Sequence, residues 1–99
     1  MSFSNIQSVQ KTTTATAVSG RTRLIGLYIT HTATSATLTL RSGGSGGTVK
    51  LTMTTPAAIG SQDLIIPDMG ILFDDGIHAT FSSAEITSAT FLFEGGAAA

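Results

Sequence analysis

The chain has 99 residues, no cysteine and a net charge of −1, with 11% of its residues charged. That length predicts one domain with a modest core, and the missing cysteines exclude disulfides, thiolate zinc sites and a thiol nucleophile. The near-neutral charge argues against a general nucleic-acid binder, which needs clustered Lys and Arg.

No stretch carries a helical period; apolar residues alternate or form short runs, as in strands. Residues 1–18 read as an N-terminal arm or edge strand, with a Thr-rich strand expected over 11–18 and broken by Gly20. A second strand is expected over 23–31, with Leu24, Tyr28 and Thr30 on one face and Ile25, Leu27, Ile29 and His31 on the other. This nearly continuous apolar run predicts a central strand covered on both faces, part of the cover coming from another subunit. Residues 36–41 alternate, with Leu38 and Leu40 inward and Thr37, Thr39 and Arg41 outward. The Gly-rich segment 42–47 then joins that run to 48–54 as a hairpin, with Val49, Leu51 and Met53 inward. Further strands are expected over 62–66, ended by Pro67, and over 71–73, 77–82 and 89–94. Asp68 to Gly70 and Asp74-Asp75-Gly76 supply turns, and the low-complexity tail 95–99 is expected to be loose on its own.

The pattern predicts an all-β fold: a single small β-sandwich or jelly roll of seven or eight short antiparallel strands, spanning residues 1–99, with a small barrel second. Leu38, Leu40, Val49, Leu51, Ile77, Phe81, Phe91 and Phe93 are the expected core. Charged residues are scarcer than the roughly 25% of ordinary domains, and mean hydropathy is +0.33. No apolar run reaches the length of about 20 residues that a membrane helix needs. Residues 1–10 lack a basic segment followed by an apolar one, so no signal peptide is expected. A surface rich in Thr and Ser hydroxyls, or covered by other subunits, accounts for this composition.

Little in the chain points to chemistry. RSGGSGGT lacks the lysine and the following helix of a phosphate-binding loop, and reads as a hairpin connection. Asp68, Asp74 and Asp75 lack calcium-loop spacing and suit turns. His31 and His78 have no ligand-type spacing and read as ordinary strand residues. Asp63, Glu85 and Glu94 complete the carboxylates, most of them beside turn residues, and no GxSxG elbow supports a serine nucleophile. Tyr28, Phe73, Phe81, Phe91 and Phe93 read as packing residues rather than a sugar-stacking platform. No catalytic, cofactor-binding or metal-binding residue is expected, and no enzyme.

The runs GRTRLIGLYIT, TLTLRSGGSGGTVKLTMTTPA and LIIPDMGILFDDGIHATF, with a closing aromatic strand, resemble small structural proteins of tailed bacteriophages, particularly marine and cyanobacterial ones. The resemblance covers roughly residues 20–94, including a P-x-x-G-I-L-F-x-x-G-I segment over 67–77. It implies a virion component made in the host cytoplasm, with a capsid decoration or cement subunit as the best fit. The partners it implies are further copies of the chain and a capsid or other virion protein, with no nucleic acid and no membrane. Residues 2–18 and the tail would then serve as arms that order on docking. The alternative is a tail- or fibre-associated domain, or a module that binds a carbohydrate or receptor.

Overall fold

The computed structural model describes residues 6–67 and 70–99. The expected turn residue Asp68 and the first residues of the expected arm lie outside them. The described chain is all-β, with eight strands: β1 (Gln7–Lys11), β2 (Ala15–His31), β3 (Thr37–Ser42), β4 (Thr48–Thr54), β5 (Gly60–Ile65), β6 (Ile71–Phe73), β7 (Ile77–Phe81) and β8 (Ile86–Ala98). They form one antiparallel sheet in the order β1-β8-β2-β7-β3-β4, and β5 and β6 pair with β2. The sheet folds over itself: buried residues of β8 and of β3 belong to one core cluster. The molecule is 19 Å across its thinnest axis, room for two layers about 10 Å apart.

The layers are joined by continuous strands. β2 is 17 residues long and β8 is 13, so these two are not the short strands expected. The first part of β2 pairs with β7 (Ala15↔Ala79), while its later part pairs with β6 (Leu24↔Ile71) and β5 (Ile29↔Gln62). β8 follows β2 from His31↔Ile86 to Val18↔Ala98, with an irregularity between Ser19 and Thr22. One layer therefore holds β1, the body of β8, the later part of β2, β5 and β6. The other holds the start of β2, the end of β8, β7, β3 and β4.

Gly20 does not break a strand, as its residue type suggested; it turns one. Its φ is 85°, and Gly96 opposite has φ 66°, the left-handed region that glycine enters at no steric cost. A β-carbon on Gly96 would stand 2.7 Å from Val18 Cγ1 and 2.8 Å from the Ser19 carbonyl oxygen. Beside this corner the buried Thr22 hydroxyl donates to the Glu94 carbonyl at 2.8 Å, with that of Gly95 at 3.1 Å. The tail expected to be loose is the end of β8: Ser19 pairs with Ala97, and the Ala99 amide donates to the Ala17 carbonyl at 3.0 Å. Residues 7–11 likewise pair with β8 over Gln7↔Phe93 to Lys11↔Ala89. Residues 7–11 and 15–18 of the expected arm, and 95–98 of the tail, are thus strands of the domain itself, with a bend at residues 12–14 between β1 and β2.

Two of the sheet's bulges overturn the expected facing of apolar residues. β2 pairs Leu24 with Phe93 and then Gly26 with Leu92, so Ile25 is an extra residue. A one-residue insertion reverses the alternation, and Leu24, Leu27, Ile29 and His31 are all buried while Tyr28 is exposed. The expected grouping of Leu24 with Tyr28 fails for this reason. In β4, Leu51 pairs with Leu40 but Val49 with Arg41, leaving Lys50 as the extra residue. Val49 therefore shares the outward face of Arg41 and is 49% exposed, not part of the core. Leu38, Leu40, Ile77, Phe91 and Phe93 are fully buried, and Leu51 and Phe81 border them half-buried. The β3–β4 hairpin forms as expected, and its loop is tied to the neighbouring turn by the Gly43 amide on the Asp75 carbonyl at 3.2 Å.

Candidate docking surfaces

The titratable side chains are dispersed. His31 faces inward at the end of β2; its Nδ1–H donates to the Thr32 carbonyl at 3.1 Å, and its buried Nε2 has no hydrogen-bond partner among the described residues. His78 lies in the other layer on β7, sharing a 3.3 Å hydrogen bond with the Thr16 hydroxyl and standing opposite Arg41 across the strand pair. Asp63 stands opposite Tyr28, Glu94 opposite Arg23, and Glu85 accepts from the Thr32 hydroxyl. Asp74 forms a 3.8 Å ion pair with Arg21, both side chains about two-thirds exposed, a geometry worth little in water. Asp75 supplies backbone groups to the Gly-rich loop, its amide bonding the Ser42 hydroxyl at 3.0 Å. Among the described residues no three His, Asp or Glu side chains converge as a metal-binding group. Phe73, Phe91 and Phe93 are buried; of the six aromatics that the sequence holds, Tyr28 is the exposed ring among those described.

The structure brings together two outer faces instead. On the layer of β4, β3 and β7, threonines occupy outward positions in cross-strand register: Thr37 opposite Thr54, and Thr39 between Thr52 and Thr80. Their exposure runs from half-buried (Thr37, Thr39, Thr80) to exposed (Thr52, Thr54). Thr37 and Thr54 hydroxyls are 3.4 Å apart, and Arg41 Nη1 donates to the Thr80 hydroxyl at 3.1 Å. Each threonine presents a methyl and a hydroxyl, so the face is both mildly apolar and able to hydrogen-bond. β4 borders it as the edge strand, pairing with β3 alone among the described strands, and an edge invites further pairing.

On the other layer, Ile65 of β5, Gly26 of β2 and Leu92 of β8 form one cross-strand row pointing outward. A β-carbon on Gly26 would meet Leu92 Cδ1 at 3.2 Å and Ile65 Cδ1 at 3.6 Å, so the two side chains close over the glycine. Ile65 is 69% exposed and Tyr28, two residues along β2, is 46% exposed. This face of β2 is therefore open rather than covered within the chain. Beside it lies a shallow groove of about 300 Å³ lined by Arg21, Thr22, Arg23, Leu72, Glu94 and Gly95. A second cleft, about 230 Å³, lies at Thr12 to Thr14, Phe81, Ser83 and Ala84.

The alternation of β3 with its Thr and Leu residues gave the threonine face directly. The apolar row was not visible, because its three members come from strands far apart in sequence; the only local hint is a glycine inside the apolar run of β2. Comparisons with protein-family models, with curated proteins and with solved structures return no match.

Proposed function

We propose that this chain is a non-enzymatic structural subunit of a tailed-phage particle, docking on the assembled shell as a decoration or cement protein. The observation that carries the reading is the threonine face: Thr37, Thr39, Thr52, Thr54 and Thr80 in register on three neighbouring strands. A broad, nearly uncharged surface of methyls and hydroxyls suits extended contact with another protein wall and offers no pocket for a small substrate. The resemblance of residues 20–94 to phage structural proteins supports the same class. Docking by terminal arms is not part of this reading, because β1 and the end of β8 are already paired within the domain. Each copy contributes a weak contact, and a repeating lattice multiplies it.

The test uses shells purified without the protein. The intact chain is expected to saturate a fixed number of sites and to raise the temperature at which the shells come apart. Thr52→Lys with Thr54→Lys changes two exposed positions and is expected to leave the melting temperature of the free protein unchanged while raising the dissociation constant for shells about 10-fold, the loss of roughly 1.4 kcal/mol per site. An intact chain that never associates with shells overturns the reading, and selective retention on a glycan array would replace it with the carbohydrate- or receptor-binding module.

A further inference from the structure

We infer that the outer face of β5, β2 and β8 is a self-association surface, on which a second copy of the chain sits face to face about a two-fold axis running across the strands through the Ile65–Gly26–Leu92 row. This goes beyond shell docking, which uses the opposite layer, and stands or falls separately from it.

The argument is the spacing of unlike groups about that row. Along β8, Glu94, Leu92 and Thr90 are successive outward residues, paired with Arg23, Gly26 and Tyr28 of β2. Asp63 of β5 flanks Tyr28 on the other side. One residue pair to one side of the apolar row therefore lies a cation on β2, Arg23, with Glu94 beside it on β8. One pair to the other side lie an aromatic ring and a carboxylate, Tyr28 and Asp63. A two-fold axis along the row exchanges the two sides. It places Arg23 of each copy over Tyr28 of the other, with Asp63 about one strand spacing, roughly 4.8 Å, to the side. Cation over ring and carboxylate beside it are both attractive, and symmetry makes the contact twice. An axis along the strands would instead set Arg23 against Arg23.

The composition of the face agrees. Its centre is Ile65 and Leu92 closing over Gly26, and its margin is Ser8, Gln10, Thr30, Ser61 and Thr90 at outward register positions. An apolar centre with a polar margin is the ordinary anatomy of a protein interface. Arg23 is uncommitted to an ion pair: among the described residues the pair within 4.0 Å is Arg21 with Asp74. Four strands of about six residues give a flat area of roughly 400 Å², below the roughly 800 Å² per partner of a standard interface. The dimer is accordingly weak and concentration-dependent.

Sedimentation of the full chain over a concentration series tests this. The expected result is a reversible monomer–dimer equilibrium, with the dissociation constant raised about 10-fold or more by Ile65→Lys at the centre. Arg23→Glu is expected to weaken the dimer, and Arg23→Glu with Asp63→Arg to restore it, since the double exchange rebuilds the pair between copies. The melting temperature of each variant reports folding, and Arg23→Glu keeps the test open should Ile65→Lys not fold. A chain that is monomeric throughout overturns the inference, as does a dimer indifferent to Ile65→Lys or a charge exchange that gives no recovery.

Discussion

Phe91 and Phe93 point from β8 into the space between the layers and are fully buried. Removing the ring of Phe91 leaves a void that neighbours on two layers cannot fill, so Phe91→Ala is expected to cost about 3–5 kcal/mol in denaturant unfolding. Val49→Ala is expected to change stability by no more than about 0.5 kcal/mol, because its side chain stands on the outer face. The two residues look alike in sequence, each an apolar member of an alternating run. Alternation identifies Phe91, Phe93, Leu38 and Leu40 correctly because their strands keep strict pairing through those positions. It misplaces Val49 and Leu24 because a bulge reverses the faces, and a bulge is set by pairing with a partner strand rather than by local composition. The two histidines were legible as strand residues; that His31 would be buried at 4% exposure was not.

Among the elements, the corner of β2 and β8 has the strictest residue requirement. Gly96→Ala is expected to cost about 1–3 kcal/mol, since φ is positive and the new methyl meets Val18 and Ser19. Gly46→Ala is expected to be neutral or slightly stabilising, because a β-carbon there has nothing within 4 Å. Thermal melts of the two variants beside the parent check both. The hairpin at 42–47 and the turn at 74–76 were legible because glycine at a tight turn has one conventional meaning. Glycine inside a strand has two, a break or a bend. Only the partner strand, with its own glycines at 95 and 96, decides between them. The same ambiguity hid the end of β8, whose small residues are wanted where two backbones approach closely.

At the scale of the molecule, pairing joins the two ends of the described chain: Gln7 meets Phe93, and Ala17 meets Ala99. Such distant partners make folding slow, and stopped-flow refolding is expected to fall in the millisecond-to-second range typical of sandwiches, not in microseconds. Removing residues 95–99 deletes the strand beside Val18 and Ser19 and is expected to lower the denaturant midpoint markedly, with the loss read by circular dichroism. The sandwich class was legible because eight short periodic runs admit few other architectures; the linkage of its layers was not, because it depends on how two strands bend together. That linkage bears on mechanics. In a sandwich whose layers meet only through side chains, a pull between the outer faces is resisted by dispersion forces, and the layers part like two sheets of paper. Here β2 and β8 pass through both layers, so tension between the faces runs along covalent backbone. A chain held on opposite sides would bear load as a stitched seam does, yielding only when strands are stripped from the sheet.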